Sequence, residues 1–143
     1  MRKLKFSSLL AAMLSLLSLA PAARAADTNS PAKPDAKNET KLIRPEQAQK
    51  LIADKKVLVL DVRTPEEFAS GHIAGATNID FRDKDFQSKI AKLDKSQAYL
   101  VNCASGARSA KACVAMEDLH FPTLYNLRGG IAAWKEAGLP VEK

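Results

Sequence analysis

Cys103 is the residue of this sequence with the clearest potential for chemistry. It follows an apolar run, 99–101, that predicts a strand, and it precedes a loop of small residues containing Gly106. Arg108 and Ser109 then open a helix-like stretch. The first N–H groups of a helix lack partners within the helix and carry partial positive charge, so they stabilise a thiolate and bind anions. The pattern predicts a cysteine nucleophile that acts on an anionic substrate.

The spacing between Cys103 and Arg108 separates two kinds of chemistry. Four residues lie between them, whereas the cysteine phosphatase loop has five and wraps a tetrahedral oxyanion. The shorter loop is better suited to a sulfur atom carried on the cysteine. A phosphatase or an arsenate reductase is therefore the less favoured interpretation, and hydrolysis of an aryl phosphate is expected to be absent.

Three segments resemble the rhodanese family of sulfurtransferases. They are Leu58–Ile79, with its Asp-Val-Arg and Gly-His-Ile-Ala-Gly-Ala motifs, the loop Cys103–Ser109, and Leu124–Val141, with its Arg-Gly-Gly-Ile motif. The resemblance runs from about Leu42 to Val141 in the family's order. One departure is His120, where many relatives carry glycine after the active-site helix. Since glycine adopts left-handed backbone freely, we expect a local cost there and no change of function.

The order of apolar segments predicts a fold class independently of the resemblance to the family. Strands that alternate with helices predict an α/β domain with a parallel sheet covered by helices on both faces, and the resemblance implies the three-layer rhodanese-like version of it. Ligands of such sheets bind beyond the carboxyl ends of the strands. We expect the Cys103 loop, Asp61 and Arg63 to meet there. The predicted strands are 57–62, 99–101 and 123–127. The predicted helices are 44–52, 83–93, 109–119 and 131–137, with a further short helix whose cap and first turn are 64–67.

The resemblance implies a reaction and a set of site residues. Cys103 would take a sulfane sulfur from thiosulfate or a similar donor as a persulfide, and pass it to cyanide or a thiol. No organic cofactor or metal is implied, and no His, Cys or acidic cluster has metal-ligand spacing. The alternative is a non-catalytic rhodanese-like module that binds a partner protein with the same surface. The expected substrate-binding residues are Ala104, Ser105, Gly106, Ala107, Arg108, Ser109 and Arg63.

Several of these residues have a structural alternative. Arg108 is expected to contact the anion or the persulfide, and partly to hold the shape of the loop. Ser109 either caps the helix or hydrogen-bonds the sulfur, with capping favoured. Asp61 and Arg63 are expected to tie the edge of the sheet together. Glu67 lies four residues after Arg63 and is expected to pair with it.

Cys113 and His72 are expected to be structural. Cys113 lies among apolar residues and is interpreted as core; the alternative, a disulfide with Cys103, is opposed by its place about two turns into the helix. His72 is expected to bond loop backbone, with a catalytic base as the alternative. Gly106 is expected to allow a backbone angle that other residues resist.

The first 40 residues predict export and a tether. Residues 1–25 combine a basic start, a 14-residue apolar run from Ser7 to Ala20 and Ala-Arg-Ala before Ala26, which is typical of a cleaved signal peptide. Residues 26–40 are polar and proline-containing, which indicates a flexible linker before a domain at 41–143. We expect a periplasmic or secreted protein without a stable membrane anchor; an uncleaved anchor is the alternative.

The charge of the chain does not indicate a nucleic-acid binder. Four of the 22 basic residues and none of the 16 acidic residues lie in 1–25, so the remaining chain has 18 basic residues and a net charge of +2. It lacks a basic stripe with interleaved aromatic residues. The expected partners are a small anionic sulfur donor and a thiol or cyanide acceptor, and the expected state is a monomer.

Overall fold

The computed structural model describes residues 39–143. The predicted signal peptide, the cleavage site before Ala26 and nearly all of the predicted linker lie outside the described residues. The strands are β1 (Lys41–Ile43), β2 (Leu58–Asp61), β3 (Thr77–Asn78), β4 (Tyr99–Asn102) and β5 (Leu124–Leu127). The helices are α1 (Pro45–Ala53), α2 (Pro65–Ala69), α3 (Phe86–Ala91), α4 (Ala107–Asp118) and α5 (Gly130–Glu136).

The strands form one sheet in the order β1-β5-β4-β2-β3, and all neighbouring strands run parallel. The predicted α/β class with a parallel sheet is confirmed. Strands β1 and β3 were not predicted, because three and two residues are too few to show a periodic pattern. Both lie at the edges of the sheet, so the central strands β5, β4 and β2 are the ones that position Cys103.

Two apolar cores lie on opposite faces of the sheet and make the fold three-layered. Side chains of neighbouring strand positions alternate between the faces, as the pleat requires. Buried residues of α3 and α4 cover one face, and buried residues of α1 and α5 cover the other. The first core contains Leu60, Val101, Phe86, Ile90, Cys113, Met116 and Phe121, and the second contains Val59, Leu100, Leu127, Ala48, Ile131 and Trp134.

Helix α2 begins as its sequence predicts. Thr64 is the N-cap, and its hydroxyl oxygen accepts from the backbone N–H of Glu67 at 3.3 Å. The Glu67 carboxylate accepts in return from the N–H of Thr64 at 3.0 Å, and Pro65 occupies the first helical position. This reciprocal capping box fixes a five-residue helix that has no buried residue of its own.

Two details of α4 bear on the predictions. The expected left-handed residue after the helix is confirmed, since His120 has φ 64°. Thr40, the last residue of the predicted linker, contacts this helix: its N–H and hydroxyl both donate to the carboxylate of Glu117, at 2.9 and 2.6 Å. No helix within residues 39–143 is long and apolar enough to cross a bilayer.

Candidate active site

Cys103 lies at the carboxyl ends of the central strands, as predicted. It directly follows β4, and Asp61 ends the neighbouring β2. On the other side, β5 ends at Leu127 and leads into the Gly129–Gly130 turn that begins α5. Because all these strands run parallel, their ends bring the Cys103 loop and the turn before α5 to one edge of the sheet.

The Cys103 sulfur is held by donors from its own loop. The N–H of Gly106 donates to Sγ at 3.0 Å, and Ser109 Oγ lies 3.4 Å from it. Burial favours the neutral thiol, but hydrogen bonds from the Ser109 hydroxyl and from the N–H groups of Ser109, Gly106 and Ser105 outweigh it. The pKa of Cys103 is therefore lowered below its usual value. A reactive thiolate needs such a donor set.

The loop backbone is fixed by glycines and by α5. Gly106 has φ 102°, a left-handed angle that confirms the prediction for this position. Two N–H groups of the first turn of α5 donate to the loop, Ile131 to the Cys103 carbonyl at 2.8 Å and Ala132 to the Ala104 carbonyl at 3.2 Å. A Cβ on Gly130 would lie 2.4 Å from the Cys103 carbonyl oxygen, so only glycine allows this approach.

Ser109 is not the cap of α4, which corrects the favoured expectation. The helix begins at Ala107 with Gly106 as N-cap, two residues earlier than predicted. The buried Ser109 hydroxyl instead has three acceptors within reach: Asn126 Oδ1 at 2.6 Å, the Gly106 carbonyl at 3.1 Å and Cys103 Sγ at 3.4 Å. Of the two roles considered for Ser109, the geometry supports the hydrogen bond to the Cys103 sulfur.

Asn126 is a site residue that the sequence reasoning missed. It lies in β5, is buried, and accepts the shortest hydrogen bond of Ser109. Its Nδ2 lies 3.4 Å from the Gly106 carbonyl. The available signal was an amide within the apolar strand Leu-Tyr-Asn-Leu, because a buried polar group requires a specific partner.

Arg108 forms a bidentate pair with Glu67. Its two Nη atoms donate to the two carboxylate oxygens, each at 2.7 Å. The pair lowers the pKa of Glu67 to about 2, chiefly through the Arg108 hydrogen bonds, and it raises the pKa of Arg108. The expected ion pair between Glu67 and Arg63 is wrong: Arg63 donates to the backbone carbonyl of Glu67, and the carboxylate pairs with Arg108. Arg63 precedes the helix, so the four-residue spacing does not place the two side chains on one helical face.

Arg63 is part of a buried network below the loop. Its guanidinium donates to the Asp61 carboxylate, with Nη2 to Oδ2 at 2.6 Å, and to the carbonyls of Glu67 and Gly71. Asn102 Nδ2 also donates to Asp61. The expectation that Asp61 and Arg63 tie the edge of the sheet together is confirmed. The side chain of Arg63 is 4% exposed and its donors face protein acceptors, so the geometry gives no support to its expected contact with substrate.

The other loop residues form the outer face of the site. Ser105 and Ala107 are exposed and Ala104 is half-buried. Contact of these residues and of Gly106 with substrate stays a prediction. None of them carries a charge.

Cys113 and His72 are structural. Cys113 is buried in the core and burial raises the pKa of its thiol to about 12, while both cysteines are free of disulfides. His72 stacks on Phe68 with ring centroids 3.7 Å apart, and its Nδ1 lies 3.1 Å from the Phe68 carbonyl. Within residues 39–143, no group of His, Cys, Asp and Glu side chains has the arrangement of a metal site.

Comparison with known proteins decides the family. The model of the rhodanese-like domain matches residues 44–137, which include the whole Cys103 loop. The chain belongs to the rhodanese-like family. A sulfurtransferase of Allochromatium vinosum is 35% identical over 94 residues, which cover 66% of this chain and 86% of that protein. The thiosulfate sulfurtransferase GlpE of Pseudomonas putida is 36% identical over 106 residues, 73% of this chain and 93% of its own length.

A solved structure places the fold in the same family. The rhodanese-related protein of Thermoplasma volcanium matches with a TM-score of 0.65 and 34% sequence identity, covering 71% of this chain and 97% of that one. The recognition of a rhodanese-like domain and its three-layer α/β fold, first made from the motifs, is thereby confirmed.

Proposed function

We propose that this rhodanese-like protein is a sulfurtransferase that carries sulfur as a persulfide on Cys103. The Cys103 thiolate attacks the outer sulfur of thiosulfate or a similar donor, and a bond forms between Sγ and that sulfur. The donor's S–S bond breaks and its electron pair leaves with sulfite. A second nucleophile, cyanide or a thiolate, then takes the terminal sulfur and restores the thiolate.

The observation that carries this proposal is the environment of the Cys103 sulfur. Gly106 N–H and the Ser109 hydroxyl surround Sγ, and the pKa of the thiol is lowered. A lowered pKa increases the fraction of thiolate and lessens the need for a general base, which agrees with the structural role of His72. The N–H groups of Ser105, Gly106 and Ser109 would also stabilise negative charge on a persulfide. The names of the sulfurtransferase relatives support the reaction class.

The cellular setting belongs to the proposal as well. The basic start, the apolar run and the Ala-Arg-Ala before Ala26 favour a cleaved signal peptide and a periplasmic or secreted enzyme. We further propose that the mature protein acts as a monomer, on small anionic donors and on thiol or cyanide acceptors. Fractionation of cells that express the full chain, with N-terminal sequencing of the product, tests the export part.

Initial-rate kinetics with matched cysteine variants test the reaction. When the concentrations of thiosulfate and cyanide are both varied, a covalent sulfur carrier gives parallel lines in double-reciprocal plots of the initial rate, which is the pattern of a ping-pong mechanism. Cys103→Ala is expected to abolish turnover, whereas Cys113→Ala, which removes the buried thiol of the core, is expected to retain it. Substantial turnover in folded Cys103→Ala would contradict the proposal. Inactivity of the parent protein with every donor would favour the non-catalytic binding module.

A further inference from the structure

The net charge beside Cys103 depends on the pair formed by Arg108 and Glu67. Arg108 is the only charged side chain in the loop 103–109. Both of its Nη atoms donate to the Glu67 carboxylate at 2.7 Å. A guanidinium with a bidentate carboxylate partner presents a compensated charge to an approaching anion, because each field largely cancels the other.

Glu67 is held in place independently of Arg108. Its Oε2 accepts from the N–H of Thr64 at 3.0 Å as part of the α2 capping box. Chiefly because of the Arg108 hydrogen bonds, the pKa of Glu67 is about 2, so the carboxylate stays charged throughout the physiological pH range. The compensation of Arg108 is therefore a permanent feature of the folded site.

The remaining side chains of the loop do not restore positive charge. Ala104, Ser105 and Ala107 are neutral. The first-turn N–H groups of Ile131 and Ala132 in α5 already donate to loop carbonyls. From its own loop, the site therefore offers an incoming donor little cationic help beyond the N–H groups, against the negative charge of the thiolate. The resulting repulsion grows in proportion to the charge that the donor carries.

We propose that Glu67 is a specificity-determining residue, which neutralises Arg108 and makes the site favour singly charged sulfur donors, such as organic persulfides and thiosulfonates, over doubly charged thiosulfate. This inference rests on the proposed persulfide function and specifies its substrate class. With a thiosulfonate, the Cys103 thiolate forms a bond to the terminal sulfur, the donor's S–S bond breaks, and the electron pair leaves with the sulfinate. No proton or external reductant takes part.

Methanethiosulfonate and thiosulfate are a suitable donor pair, because both transfer a terminal sulfur from a sulfonyl centre and they differ in charge. The rate of persulfide formation on Cys103 is measured for each donor by rapid mixing and intact mass. Glu67→Gln removes the charge and retains an acceptor for the capping box. Glu66→Gln is the matched control, since Glu66 is the exposed neighbour in the same helix and its loss changes the net charge equally.

We expect Glu67→Gln to raise the rate constant about tenfold with thiosulfate and about threefold with methanethiosulfonate, since the gain in free energy scales with donor charge. The gain should shrink as ionic strength rises. Comparing variant with parent for each donor cancels the donors' own reactivities. Glu66→Gln should leave both rates close to those of the parent protein.

Two results would overturn this inference while leaving the proposed function intact. They are an equal change with both donors in Glu67→Gln, and the same thiosulfate-selective gain in Glu66→Gln. Failure of both donors to label Cys103 in the folded parent protein would instead refute the proposed function itself, and the inference with it. The two failures are therefore distinguishable in one set of measurements.

Discussion

The hydroxyl of Ser109 is expected to control how much of Cys103 is thiolate. Its Oγ lies 3.4 Å from Sγ, and its hydrogen bond is the largest of the contributions that lower the pKa of Cys103. Ser109→Ala removes that donor, so the pKa should rise. Ser105 contributes only through its backbone N–H, and its exposed side chain can be removed without loss of a donor. Ser105→Ala is therefore the matched control.

The size of the effect follows from the geometry. A hydrogen bond to a charged group contributes about 1.5–3 kcal/mol. The Ser109 contact to sulfur is long, and its single proton is shared with Asn126 Oδ1 at 2.6 Å, so about 1 kcal/mol is a reasonable value for this bond. At a pH below the pKa, that loss leaves roughly fivefold less thiolate. The remaining thiolate is intrinsically more nucleophilic, so the rate of sulfur transfer should fall only about two- to threefold.

Thiolate absorbance in the ultraviolet, followed against pH, measures this effect directly. Cys113 stays protonated over the useful range because its pKa is about 12. We expect the titration of Ser109→Ala to move to higher pH and that of Ser105→Ala to coincide with the parent protein. Coincident curves for Ser109→Ala and the parent would refute the role assigned to the hydroxyl, and an equal shift in Ser105→Ala would show that the loop as a whole had changed.

Two further predictions concern stability. Gly130→Ala should destabilise the fold by about 3 kcal/mol in urea unfolding, because its Cβ would lie 2.4 Å from the Cys103 carbonyl oxygen. Gly138→Ala, at a similar φ of 71° with open space around it, should cost only about 1 kcal/mol, and equal losses would contradict the clash. The ion pair should also make stability pH-dependent, since the pKa of Glu67 is depressed from 4.5 to about 2. Its contribution is present above the higher value and is lost as pH falls toward the lower one. Because the Glu67 side chain is 36% exposed, we expect the pair to contribute about 1 kcal/mol at neutral pH. This contribution is measured as the difference in unfolding free energy between the parent and Arg108→Met. A difference that stays constant down to about pH 3 would contradict the prediction.

The sequence was sufficient to predict the features that depend on local patterns. Apolar runs and helix signals located the central strands and all five helices, with α4 starting two residues early. Thr64 and Pro65 predicted the start of α2 because capping is determined by adjacent residues. Gly106 and His120 were predicted to need unusual backbone angles, and both have positive φ.

The features that were missed depend on contacts between distant parts of the chain. Glu67 was expected to pair with Arg63 by a spacing rule that holds only within a helix. Its carboxylate instead accepts from Arg108, which lies 41 residues away. Asn126 joins the site because β5 lies beside β4, an adjacency that no local pattern shows. Strand β1 was not predicted, because its three residues form a strand only by pairing with β5.

The central claim is that Cys103 carries sulfur, and one mass measurement tests it directly. Intact mass of the purified protein is recorded before and after exposure to thiosulfate and to methanethiosulfonate, with Cys103→Ala and Cys113→Ala alongside. We predict a gain of one sulfur atom in the parent and in Cys113→Ala, no gain in Cys103→Ala, and loss of the added sulfur on treatment with cyanide. A folded, reduced parent protein that gains no sulfur from either donor, or a Cys103→Ala variant that still gains it, would contradict the account.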